Sequence, residues 1–336
     1  MPKKCPVTPI VMVIAVVLCA AARVFAISKT DMMYGSLNHG YEIVCNVLFY
    51  GVIVTASVIG TVFGSYPKKG EEKAALSNMS GKPAVAVGFG MLVAAVCIAY
   101  DAVFSAKSPY ASVVFMIISY AFAAMFAVVG FVTLYKKSFA PALGFAYSFG
   151  GVFYVVKGIF FFRSHMVVAA IPEYVIEGMT CVLGGLFFVM AGRLLSGNVE
   201  RFTGKMLNVW GMFSAVLTLS AFIGTVVAKP VLDDEISQRI VFTSAEAEQY
   251  FQAAHGTGGY WLAFPSLAAV GLGVMAAITV ISMNVSCGAK KAECCAETVD
   301  NADGAGLDDE SVGTFGTDEV TEDDFMKSAE EPQNED

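Results

Sequence analysis

Charge is scarce in this chain. Asp, Glu, Lys and Arg make up 15% of the 336 residues, against roughly a quarter in a soluble domain, which excludes a fold whose whole surface faces water. Histidine is scarcer, at three residues. His39, His165 and His255 fall on the loops assigned below to the outside, and no two are spaced as a ligand pair such as i, i+4, so no metal centre is expected. The chain holds no His-Glu-x-x-His, no Gly-x-Ser-x-Gly and no paired aspartates within an apolar run. The usual motif-bearing routes to catalysis are therefore absent, and neither an enzymatic activity nor a cofactor is expected. A disulfide framework is missing too. Cys19, Cys45, Cys97 and Cys181 lie inside apolar runs, and Cys5, Cys287, Cys294 and Cys295 flank the first and last of them.

What is plentiful is apolar sequence, at 56% of the residues. It is gathered into eight stretches, roughly 7–27, 42–65, 83–104, 110–134, 139–162, 172–195, 206–228 and 259–282. About 20 apolar residues are what a helix needs to cross the hydrocarbon core. The expected fold class is all-α, a polytopic membrane bundle of eight transmembrane helices filling residues 1–286. Such a bundle sits in a lipid bilayer, and nothing in the sequence points to nucleic acid. The Ala, Val, Gly and Phe-rich composition suits a bacterial plasma (inner) membrane.

Lys and Arg set the orientation, because they accumulate on the cytoplasmic side. With the N-terminus inside, the inner segments hold 13 of them and the outer ends and loops seven. Both termini are therefore expected in the cytoplasm. An alternative for the first span is a cleaved secretory signal, since Lys3 and Lys4 precede the apolar run and Val24-Phe25-Ala26 follows it. Its length and the position of Arg23 favour the uncleaved span. Spans two and seven share Ile-Gly-Thr-Val, but a four-residue match in this background is near chance and no internal repeat is inferred.

Ionisable residues inside a bilayer are costly, and each marks a functional hypothesis. At 1.5 Å per residue, Lys157 and Asp101 both lie about 27 Å from the inner ends of their spans. Glu177 and Asn46 lie about 6–8 Å in from the outer ends of theirs. Glu173, Glu177, Cys181 and Gly185 are spaced by four and share one stripe of the sixth span. Asn46, Asp101, Lys157, Glu173 and Glu177 are thus the candidate substrate-binding residues, in one layer beneath the outer surface, with a Lys157–Glu177 pair geometrically plausible. The competing reading is that charges near helix ends snorkel to the interface. Ala56, Gly60 and Gly64 form a small-residue run that fits close helix packing within the bundle better than homodimerisation.

Residues 229–258 are expected as one long outer loop. Lys229 to Phe242 reads as irregular or extended, and Ser244 as the N-cap of a short helix over 245–254 that rests on the outer mouth as a cap or lid. Residues 287–336 are expected as a disordered cytoplasmic tail. Its last 40 residues carry 15 Asp and Glu against one Lys, a net −14 that leaves +6 on the other 296 residues. Two functions compete. One is a transporter or solute-binding protein for a small solute, with an outer-leaflet polar cavity. The other is a non-transporting scaffold or signalling protein whose acidic tail recruits a basic cytoplasmic partner.

Overall fold

A computed structural model describes residues 7–28, 30–31, 36–37, 39–65, 80–105, 113–139, 141–165, 172–198, 202–239 and 266–303. Among these described residues, eight helices are long and apolar enough to cross a membrane. They are α1 (Val7–Ser28), α2 (His39–Val62), α3 (Lys82–Ser105), α4 (Val113–Lys136), α5 (Pro141–His165), α6 (Pro172–Leu195), α7 (Thr203–Arg239) and α8 (Leu267–Asp303). Hydrocarbon offers the backbone no hydrogen bonds, so a spanning segment must satisfy its own N–H and C=O groups, which a helix does. Between α1 and α2, Thr30–Asp31 pairs antiparallel with Ser36–Leu37. The chain falls into two compact units, Met1–Glu293 and Cys294–Asp336, the first of which is the bundle.

Local signals explain several helix ends. Pro141 and Pro172 stand at the first helical positions of α5 and α6, where the missing N–H is not needed and the fixed φ already matches a helix. Gly197, at φ 79°, closes α6. Its N–H donates to Leu194 O at 3.2 Å and Asn198 N–H donates to Arg193 O at 3.0 Å, the paired bonds of a Schellman cap.

Three boundaries differ from the sequence expectation. First, α7 continues through Pro230 to Arg239, where irregular or extended chain is expected from Lys229. Bundle helices carry a proline when neighbouring groups take up the freed backbone, and no glycine follows to stop this one. Second, α8 begins at Leu267 instead of near residue 259, because Ser266 caps it. Third, helix persists past residue 287, and residues 294–303 of the second unit are helical. The short helix expected over 245–254 and the tail beyond 303 lie outside the described residues.

The most buried spans are α6, α7 and α8, and α8 lies among the others. Its Gly271 backs onto Ala94 and Cys97 of α3, its Gly273 onto Thr218 and Leu219 of α7, and its Leu272 onto Gly184 of α6. Gly60 of α2 meets Met212 of α7, so the small-residue run of α2 serves packing inside the bundle.

The α5–α6 pair has a glycine seam. Gly144, Gly151 and Gly158 recur every seven residues on α5, and Gly178, Gly185 and Gly192 do so on α6, the period that keeps one face of a helix against its partner. A Cβ at Gly144 would lie 2.6 Å from Leu195 C and 2.7 Å from Ser196 Cα. One at Gly151 would lie 3.0 Å from Gly185 O, and one at Gly192 would lie 2.8 Å from Gly144 O. These neighbours are backbone and cannot swing away. Gly144→Val is therefore expected to destabilise the bundle by about 1–3 kcal/mol, as overpacking does. Gly178→Ala, where nothing lies within 4 Å of the added carbon, is expected to leave stability unchanged. Melting temperatures in detergent, measured side by side, check both.

Candidate functional site

Three elements deliver charge to one point at the end of the bundle opposite Val7. On α5, Gly150, Phe153, Tyr154 and Lys157 share a buried face, so the helical period that buries the aromatic rings also buries the ammonium. On α6, Ile176, Glu177, Thr180 and Cys181 form the inward stripe. On α3, Asp101 continues the line of Ala94 and Ile98, both buried.

Lys157 Nζ lies 3.0 Å from Asp101 Oδ2 and 2.9 Å from Glu177 Oε1, and it also donates to Ser266 Oγ. An ammonium has three donors, and all three are used. The side chains are 7% exposed at Lys157, 1% at Glu177 and 17% at Asp101, so Asp101 is the most exposed member.

Ser266 joins this cluster to α8. Its carbonyl accepts from Val270 N–H at 3.1 Å and its Oγ accepts from Ala269 N–H at 3.2 Å, the pattern of an N-cap. In a capping box a Glu three residues on would return to the cap's own N–H. Here that position is Ala269, and a carboxylate from another helix takes the role. Ser266 N–H donates to Glu177 Oε2 at 3.0 Å, and Ser266 O–H donates to Glu177 Oε1 at 2.6 Å. The hydroxyl thus gives its one proton and fills both lone pairs.

The adjoining layer is aromatic. Tyr154 O–H donates to Ala268 O at 2.8 Å and its ring stacks on Phe188 at 5.7 Å. Phe188 in turn meets Phe126, Phe187 and Tyr147. These rings fill the bundle beside the charges. A groove of about 1120 Å³ runs between α5 and α6, walled by Val152, Val155, Ile159, Phe162, Val175 and Val182. Tyr154 and Cys181 reach it, but Asp101, Lys157 and Glu177 do not line it. It is an apolar groove and not the polar cavity expected from the sequence.

Of the five residues singled out in the sequence, Asp101, Lys157 and Glu177 come together. Asn46 is exposed on α2, and no contact joins it to the cluster among the described residues. Glu173 lies in the first turn of α6, and its side chain lies outside what is described. Among the described residues no group of three His, Cys, Asp or Glu is placed to hold a metal ion.

Sequence reasoning missed Ser266, though a Ser after Pro265 and before an apolar run is an N-cap signal. It also missed a second polar cluster at the opposite end of the bundle. There Asn284 Nδ2 of α8 donates to Asn208 Oδ1 of α7 at 2.8 Å, Asn208 Nδ2 donates to Gly60 O of α2 at 2.8 Å, and Ser65 N–H donates to Asn284 Oδ1 at 2.7 Å. Thr8 of α1 shares its hydroxyl between Gly60 O and Asn284 Oδ1, each 3.2 Å away. These residues are uncharged, so a search for charge passes over them. Arg23 was counted with the outer ends, yet it is buried, with its stem against Gly224 of α7.

Removing one partner of a buried pair strands the other and costs about 3–5 kcal/mol, whereas replacing the whole set by apolar groups of like volume is neutral or stabilising. Lys157→Met is therefore expected to lower the melting temperature sharply. The triple variant Asp101→Asn/Lys157→Met/Glu177→Gln is expected to recover most of that loss. Thermal unfolding of the reconstituted protein distinguishes the two. No family model matches this chain, and no curated protein or solved structure matches it either.

Proposed function

We propose that this integral membrane protein handles a small solute, and that Asp101, Lys157 and Glu177 form the site at which solute or ion charge is exchanged. The observation that carries the reading is an imbalance of charge. Two carboxylates share one ammonium in a buried place, so with all three ionised the cluster holds a net −1. Low-dielectric surroundings make an uncompensated charge costly, and the remedy is a proton or a cation arriving from outside. Asp101, the most exposed member, is the natural point of entry. Lys157 and Glu177, held by Ser266, are the deeper pair that such an arrival disturbs.

Stability is a poor alternative explanation, because apolar residues would hold these helices together as well or better. Ionisable groups kept in a bilayer in spite of this mark substrate, ion or proton sites. A zwitterionic or charged small solute fits a place that offers one cation and two anions. The setting proposed is a bacterial plasma membrane, with both termini cytoplasmic.

A second reading is favoured by the aromatic layer, which fills the bundle below the charges. On that reading the bundle is a membrane anchor, and the acidic tail recruits a basic cytoplasmic partner.

Uptake into vesicles separates the two. Vesicles bearing the parent chain are expected to take up at least one solute from a panel of amino acids, amines and organic acids, faster under an inward proton gradient. Asp101→Asn is expected to remove the dependence on the gradient, and Glu177→Gln to reduce uptake at least tenfold. If the parent moves nothing in the panel, or both variants match it, the site reading fails and the anchor reading stands.

A further inference from the structure

We propose a second binding site, for an anionic phospholipid, between α3 and α4 at the end of the bundle that holds Val7. It is independent of the solute reading. The feature is a pocket of about 580 Å³ whose walls include Lys82, Val85, Phe89, Leu134 and Lys137. Lys82, Val85, Ala86 and Phe89 stand at i, i+3, i+4 and i+7 and form one stripe of α3, while Leu134 and Lys137 are three apart at the end of α4. The α3 stripe extends about 10 Å along the helix. It is basic at its outermost position and apolar below.

The depth suits a lipid. Lys82 opens α3, and Lys137 directly follows α4, so both lysines stand at the helix termini, where headgroups meet a spanning helix. Tyr135, 82% exposed, marks the same level as an interfacial aromatic. Phe89, 58% exposed, presents its ring deeper, where an acyl chain runs.

Charge complementarity selects the occupant. Neither Lys82, Lys136 nor Lys137 takes part in an ion pair among the described residues. Two cations over an apolar trough match one phosphate above one acyl chain. A zwitterionic headgroup would bring its own cation against them, and an uncharged ligand would leave both lysines unanswered.

The backbone holds this arrangement. Lys137 has φ 51°, and it is the one non-glycine residue with positive φ among those described. Its carbonyl accepts from Gly81 N–H at 2.7 Å, which ties the end of α4 to the start of α3. Glycine or asparagine is the usual occupant of such a left-handed position after a helix. A lysine there is conformationally disfavoured, and phosphate binding supplies a reason for it.

The test uses the full-length chain, delipidated in detergent and titrated with phosphatidylglycerol, phosphatidylcholine or glycerol 3-phosphate, with bound lipid counted by native mass spectrometry. The expected result is one tightly retained phosphatidylglycerol per chain, preferred over phosphatidylcholine. Lys82→Gln and Lys137→Asn should each lower that preference about fivefold, the effect of one lysine near a membrane surface, without weakening phosphatidylcholine binding. Because asparagine accepts a positive φ, Lys137→Asn should keep or raise the melting temperature, which separates loss of the site from loss of the fold. Lys136→Gln, outside the pocket, should keep the preference. Equal binding of the two lipids by the parent overturns the proposal, as does a preference that survives in the Lys82→Gln/Lys137→Asn double variant. An equal loss in Lys136→Gln would reveal diffuse surface charge instead of a site. Displacement of phosphatidylglycerol by equimolar glycerol 3-phosphate would reveal a free-phosphate site.

Discussion

Inside a bilayer a polar group has only its neighbours to bond with, and the two ends of the apolar stretch of α8, Leu267–Cys287, are where this bundle answers that constraint. A helix beginning within a packed interior leaves N–H groups without intrahelical partners. Ser266 Oγ caps the N–H of Ala269, and Glu177 of α6 completes the cap from outside the helix by taking the N–H of Ser266 itself. The carboxylate brought in for this purpose needs a counter-charge. Lys157 of α5 supplies it and reaches on to Asp101 of α3. At the other end of that stretch, Asn284 is held by Asn208, Thr8 and the backbone N–H of Ser65, just past α2. The central apolar stretch is thus pinned at both ends by polar contacts, and the other helices pack around it.

The two clusters differ in a way that bears on function. The asparagine network is neutral, and its members satisfy one another or backbone groups. Interhelical hydrogen bonds of this kind contribute roughly 0.6 kcal/mol each in a membrane, occasionally more. It is an economical way to lock four helices, and nothing in it is left over. The charged cluster satisfies every donor of Lys157 and Ser266 as well, yet it carries one carboxylate more than it has cations. A neutral lock was available to this chain and is used at the other end, so a need for helix association alone does not account for charge here.

The membrane-facing surface follows from the same economy. Gly144 and Gly151 of α5 and Gly185 and Gly192 of α6 bring the two helices together until backbone meets backbone. The side chains that flank the seam then stand as walls of an apolar groove between the two helices. The joint between α3 and α4 is likewise close, with Gly88 against Gly130, and at its end Gly81 and Lys137 bond across it beside an apolar trough walled in part by Lys82 and Lys137. Close packing and specific surface chemistry thus arise at the same helix pairs.

The sequence by itself determined the class and the number of spans, because a bilayer demands about 20 apolar residues per crossing and that demand is written locally. It also determined the depth of the charges, since rise per residue is constant, which is why Asp101, Lys157 and Glu177 were legible as one layer. It misplaced the start of α8 and the end of α7, where a cap and a tolerated proline outweigh hydropathy. Depth, moreover, says nothing of azimuth. Asn46 shares the layer and stands apart, and only the packing of α3, α5, α6 and α8 decided which of these groups meet. Asn208 and Asn284 were invisible for the same reason, and Ser266, legible as an N-cap, gave no sign of its bond to Glu177. A neutral polar residue in an apolar run carries no signal until tertiary structure puts a partner within 3 Å, because hydrogen bonds depend on direction and proximity, which the order of residues along a chain does not specify.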